Sequence, residues 1–118
     1  QPYYILNNLM AKLESKEKYL KWYKDMLLWR KLEDKASALY IQQKIRGFLH
    51  LYNGQEAILA GCIEAIDPSK DKMITAYRNH VQPIAMGVEP KFVMANILQR
   101  RNAKDMGRAS TNVLHLIS

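Results

Sequence analysis

The sequence is poor in cysteine, in long apolar runs and in acidic residues relative to basic ones, and each shortage closes off a class of protein. A lone cysteine, Cys62, allows no internal disulfide and offers no metal-ligand spacing, so a reducing, intracellular compartment is expected. Its neighbours Ile58, Leu59, Ile63 and Ile66 suggest a buried thiol. No uninterrupted apolar run approaches the roughly 20 residues of a membrane span, and no charged-then-apolar signal layout opens the chain. A soluble protein without a membrane partner is therefore expected. There is no Walker loop, no GxGxxG and no GxSxG, which excludes the commonest nucleotide and hydrolase signatures. The three histidines, His50, His80 and His115, lie far apart and lack the close carboxylate or cysteine spacing of a local metal site. Internal repeats, low-complexity tracts and domain linkers are likewise missing.

What is present fits one domain. The 118 residues are 48% hydrophobic and 25% charged, too apolar for a disordered chain and long enough to bury a core. Eighteen basic against eleven acidic residues give a net charge of +7, which invites a phosphate or nucleic-acid partner. The charge is diluted along helical faces and no nucleic-acid recognition motif accompanies it, so nucleic acid is not the expected partner.

Residues 1–14 read as an arm. From Ser15 the pattern predicts a long helix: Ser15 can cap it, Glu17 lies in its first turn, and Tyr19, Trp22, Met26, Trp29, Ala36 and Tyr40 recur at steps of three and four. A second set, Leu20, Tyr23, Leu27 and Leu39, widens the apolar face and predicts cover on more than one side. Glu33 alone breaks the first set. With Arg30, Lys31, Asp34 and Lys35 it reads as a solvated mixed-sign patch. The helix is expected to end near Gln43, with Gly47 as the flexible point beyond it.

Residues 45–57 carry His50 between apolar residues, an Asn53-Gly54 break and Glu56 at the start of a new apolar-periodic segment. Polar residues placed this way around a turn suit a site better than a core segment. Asn53 and Glu56 have the spacing of a capping box, and Ile58, Leu59, Cys62, Ile63 and Ile66 form the expected buried side of the helix, which Asp67-Pro68 stops. Residues 72–77 predict a short buried strand, with Arg78, Asn79 and His80 at its C-terminal end, the edge where open α/β sheets bind ligands. Residues 81–86 allow one or two helical turns. Pro90 starts a last helix through Phe92, Val93, Ile97 and Leu98. Residues 100–108 then read as a basic loop and residues 113–117 as an apolar tail that could form a second strand. The fold class is thus mainly α, with at most one or two short strands.

His50, Tyr77, Arg78 and His80 are the loop residues able to carry chemistry. A guanidinium beside a tyrosine hydroxyl suits an anion, because it binds phosphate oxygens bidentately while the hydroxyl adds a directed donor. The competing reading pairs Arg78 with an acidic neighbour and gives each histidine a structural role.

Three separated stretches, residues 19–35, Lys44 to Ala57 with its Arg46-Gly47-Phe48-Leu49-His50, and Ile74-Thr75-Ala76-Tyr77-Arg78-Asn79-His80, together resemble the N-terminal part of the alpha subunits of the thiamine-diphosphate-dependent pyruvate dehydrogenase family. The resemblance covers roughly residues 17–99 and leaves 100–118 divergent. It implies the N-terminal helical part of an α/β thiamine-diphosphate-binding fold, an enzyme that decarboxylates pyruvate oxidatively, and a bacterial cytoplasmic or mitochondrial-matrix location. By the same resemblance Tyr77 and Arg78 contact the cofactor's diphosphate, with His80 beside them, Phe48 lies at the active-site entrance, and His50 stands near the reacting end as the catalytic candidate. The implied partners are a beta subunit in an α2β2 heterotetramer and a dihydrolipoyl acetyltransferase core that receives the acetyl group.

The departures from that family are specific. Val81 stands where the family has glycine after the histidine, its Gly-Gly-Ser-Met-His loop is matched only by residues 108–115, and no Gly-Asp-Gly followed by Asn supplies ligands for Mg²⁺. The residues present are expected to form one wall of a site and not to act alone. The alternative is a non-enzymatic, degenerate relative that serves as an interaction module.

Overall fold

The computed structural model describes residues 15–98 and the backbone of 113–116. The arm expected over 1–14 and the basic loop over 100–108 lie outside the described residues. In chain order the elements are α1 (Lys16–Ile41), α2 (Glu56–Ala65), β1 (Met73–Ala76), α3 (Gln82–Ala85), α4 (Pro90–Ile97) and β2 (Val113–Leu116). The mainly helical class is as expected. The two strands pair in parallel, Met73 opposite Val113 and Ala76 opposite Leu116, so the second strand is also present.

Helix α1 begins as its sequence directs: Ser15 is extended at the N-cap and its Oγ accepts from the Lys18 amide at 3.3 Å. It ends one turn before Gly47. Gln43, at φ +60°, takes the left-handed position; its amide donates to the Tyr40 carbonyl and the Lys44 amide to the Leu39 carbonyl, closing a Schellman motif without glycine. Gly87, at φ +103°, ends α3 in the same way, its amide donating to the Ile84 carbonyl and that of Val88 to the Pro83 carbonyl.

The buried stripe of α1 is Trp29, Leu32, Glu33 and Ala36. Trp22 and Met26 are half-buried against it, whereas Leu20, Tyr23 and Leu27 are exposed, correcting the expectation that α1 is covered on more than one side. Helix α2 has only ten residues and packs along one side of α1. Its own buried positions are Glu56, Leu59 and Ala60, with Ile63 half-buried, which is the i, i+3, i+4, i+7 stripe of one face. Ile58 and Cys62 fall off that stripe, so both are exposed and the buried thiol is corrected.

Strand β1 alternates half-buried and exposed, Met73 and Thr75 inward, Ile74 and Ala76 outward, in place of the fully buried strand expected. Two core clusters result. Trp29, Leu32, Tyr52, Leu59, Ala60 and Val81 join α1, the loop, α2 and the start of α3. Ala36, Ile45, Val88, Val93 and Ile97 join the later part of α1 to α4. The loop of residues 42–55 crosses both clusters and inserts Ile45 and Tyr52 into them. No helix among the described residues is long and apolar enough to cross a membrane.

Candidate functional site

Arg30, Glu33 and Asp34, three residues read from the sequence as a solvated patch, occupy one face of α1 at i, i+3 and i+4, and each holds a different piece of the chain. Arg30 makes a bidentate pair with Glu56 at the start of α2, Nε to Oε1 at 2.5 Å and Nη2 to Oε2 at 3.0 Å. Asp34 accepts from Asn53 Nδ2 at 2.9 Å. Glu33, only 1% exposed, receives His80 Nδ1 at 3.0 and 3.2 Å from its two carboxylate oxygens. The signal that could have separated this patch from a solvated one was the single break that Glu33 makes in the apolar stripe.

These ties correct the capping box. The N-cap of α2 is Gln55, which makes no side-chain cap, so Asn53 sits two positions too early to reach the first-turn amides and turns to Asp34 instead. Glu56 does reach back, but to the Gly54 amide at 3.0 Å. Gly54, at φ +85°, provides the left-handed turn that brings that amide within reach.

The Arg30 guanidinium, by hydrogen bond first and then by charge, together with the Gly54 amide, holds the Glu56 carboxyl below its ordinary range; burial acts in the opposite direction. A carboxyl depressed in the folded state stabilises fully above its unfolded pKa, about 4.3 for glutamate, and that contribution is lost as pH falls through the lower folded value. Acid unfolding of the chain is therefore expected to steepen below about pH 4, and Glu56→Gln to flatten that limb in a pH series of thermal melts.

The loop fixed in this way delivers His50 to the end of β1. Tyr77 and Arg78 follow the strand directly, and both are left-handed, at φ +47° and +43°, a conformation that residues with a Cβ adopt only when their surroundings enforce it. The His50 and Tyr77 rings meet edge to face, centroids 5.5 Å apart at 81°. Arg78 Nη1 donates to the Leu51 carbonyl at 2.6 Å, so a backbone acceptor takes the place of the acidic partner that the competing reading assigned. One donor direction of the guanidinium is thereby fixed, and the exposed remainder keeps its other N–H groups.

His50, Tyr77 and Arg78 thus form one exposed cluster of a cation, a hydroxyl donor and an imidazole. His80 stands on the buried side of the same turn with Nδ1 committed to Glu33, leaving Nε2 for any ligand contact. Phe48 is 95% exposed and is not packed into the cluster. Val81, at φ −92° and fully buried, has ordinary dihedrals that require no glycine.

Chemically, the cluster suits oxyanions: a guanidinium and a phenol are exposed on consecutive residues of one turn, and no carboxylate is among its three members. Among the described residues no group of three histidine, cysteine or acidic side chains could hold a metal ion. The donors are of the kind that holds phosphate oxygens, and the described residues offer no such group of ligands to Mg²⁺.

Comparison with known proteins places this chain in a family. Residues 24–116 match the model of the dehydrogenase E1 component. The pyruvate dehydrogenase E1 component subunit alpha of Rickettsia bellii is 41% identical over 101 residues, covering 86% of this chain and 30% of that protein. The corresponding Rickettsia prowazekii subunit is 43% identical over 101 residues, again 86% and 30%, and the chloroplastic alpha-3 subunit of Arabidopsis thaliana is 35% identical over 111 residues, 94% and 25%. The chain spans about a third or less of the length of these curated relatives. On these grounds the chain belongs to the dehydrogenase E1 component family.

Proposed function

We propose that these residues supply the diphosphate-binding wall and part of the substrate end of an E1 alpha subunit that decarboxylates pyruvate with thiamine diphosphate. The observation that carries this reading is the left-handed Tyr77-Arg78 turn, which exposes a phenol and a guanidinium on consecutive residues with His50 against the tyrosine ring. Arg78 and the Tyr77 hydroxyl would hold diphosphate oxygens. His50 would orient the 2-oxo acid at the reacting end, Phe48 would line the approach, and His80 would flank the pair. When bound, thiamine diphosphate supplies the electron sink that a 2-oxo acid needs in order to lose carbon dioxide. Mg²⁺ would be held by residues outside this stretch.

The proposed partners are a beta subunit, in an α2β2 assembly that closes the other walls of the site, and a dihydrolipoyl acetyltransferase that accepts the acetyl group. The names of the relatives support pyruvate as the substrate. The non-enzymatic module drew part of its motive from Val81, and the ordinary backbone and full burial of that residue take away that part alone.

The test is pyruvate-dependent reduction of an artificial electron acceptor by the complete chain assembled with its beta subunit, thiamine diphosphate and Mg²⁺. His50→Ala is expected to lower kcat about tenfold, the worth of one well-made hydrogen bond, while leaving the cofactor dissociation constant within about threefold. Absence of pyruvate turnover in the wild-type assembly would contradict the reading.

A further inference from the structure

We propose that Glu33 is a positioning residue for Tyr77 and Arg78, acting through His80 to hold the left-handed turn that presents both donors. The proposal rests on the reading of that pair as the diphosphate contact.

Glu33 lies within the buried stripe of α1 together with Trp29, Leu32 and Ala36, at 1% exposure. A carboxylate in such a place is unfavourable unless it is partnered, and its partner is the His80 imidazole. Because Nδ1 lies within hydrogen-bond distance of both carboxylate oxygens, it carries the proton and donates. The bond spans 47 positions of sequence and ties the middle of α1 to the segment that leaves β1.

The location of that tie is what gives it a role. Tyr77 and Arg78 are consecutive left-handed residues, and such a pair persists only where flanking contacts over-determine it. On the N-terminal side the turn is held by the pairing of β1 with β2. On the outside it is held by Arg78 on the Leu51 carbonyl and by His50 against Tyr77. On the C-terminal side it is held by His80 on Glu33, immediately before fully buried Val81. Without the last anchor the turn can relax toward negative φ, and the phenol and guanidinium are then displaced from the positions that the turn gives them.

A merely space-filling Glu33 would behave differently. Glu33→Met keeps the volume of the apolar stripe while removing the anchor, at the cost of leaving the half-buried His80 imidazole without its acceptor. The experiment uses the complete chain assembled with its beta subunit and reads thiamine diphosphate affinity by calorimetry at saturating Mg²⁺, thermal stability, and kcat at saturating cofactor.

Glu33→Met is expected to raise the cofactor dissociation constant about tenfold, with the melting temperature lowered by no more than the loss of one hydrogen bond at a half-buried imidazole implies and kcat at saturation within about twofold. Glu33→Gln keeps an oxygen that accepts from Nδ1 and should raise the constant less than about threefold. His80→Ala should reproduce the tenfold loss, and adding Glu33→Met to it should change nothing further, because the two act as one unit.

Wild-type affinity in Glu33→Met, or an undiminished Glu33→Met effect in the His80→Ala background, overturns the proposal. Should Glu33→Met fail to assemble, wild-type affinity in His80→Ala overturns it equally. Arg78→Ala separates the two levels. If it weakens binding and Glu33→Met does not, only the positioning role falls; if Arg78→Ala binds normally, the diphosphate reading falls and this proposal with it.

Discussion

Replacing Arg78 with alanine is expected to weaken thiamine diphosphate binding to the assembled enzyme on the order of 100-fold, as two charge-assisted hydrogen bonds of the usual strength would require. The size follows from how the side chain is held. Its Nη1 is fixed on the Leu51 carbonyl, so the guanidinium is aimed before any ligand arrives and little rotamer freedom remains to be lost on binding. Arg78→Lys should recover only part of the loss, because an ammonium group cannot grip the Leu51 carbonyl and a phosphate with the geometry of a planar fork. Tyr77→Phe, which removes one neutral donor and keeps the ring against His50, should fall well short of the arginine effect. Calorimetric titration of each variant with thiamine diphosphate checks the order.

Trp29→Ala is expected to be the most damaging change to the scaffold, lowering stability by about 3–5 kcal/mol. Trp29 is 3% exposed and belongs to the cluster of Leu32, Tyr52, Leu59, Ala60 and Val81. The cluster connects α1 with the site loop through Tyr52, with α2 through Leu59, and with the segment after His80 through Val81, and Trp29 is its largest member. Loss of Trp29 opens a cavity on which all three depend. Tyr23→Ala, on the open side of the same helix at 66% exposure, should stay within about 0.5 kcal/mol. Denaturant unfolding of the two variants beside the wild type checks the contrast.

Much of this arrangement was legible in the residues. The Ser15 cap, the long helix, the strand at residues 73–76 and the proline start of α4 follow local rules of propensity and capping, and those rules prevailed. The placement of Tyr77 and Arg78 at a strand end was legible for the same reason. What local pattern could not deliver was partner choice across the chain. Asn53 and Glu56 had the spacing of a reciprocal cap, yet Asp34 and Arg30 on α1 compete for them, and a charged partner forms the stronger bond.

Burial was misjudged where it depended on neighbours. Cys62 and Ile58 belong to an apolar run, but α2 meets α1 along a single stripe and leaves them outside. Leu20, Tyr23 and Leu27 are open because α2, which runs beside α1 from Lys18 to Arg30, covers only the side that carries Trp22, Met26 and Trp29. Glu33 is the instructive case. Its break in the apolar stripe was visible, but the meaning of the break lay in His80, 47 residues away, and no periodicity reports a partner at that distance.

Recognition of the diphosphate of thiamine diphosphate is the role proposed for Tyr77 and Arg78. The most direct measurement compares thiamine diphosphate with thiamine, which lacks the phosphates, on the assembled wild-type enzyme and its Arg78→Ala variant. The account predicts that the preference for the diphosphate form collapses by about two orders of magnitude in the variant, while thiamine itself binds equally to both. An unchanged preference, or an equal loss for both ligands, would contradict it.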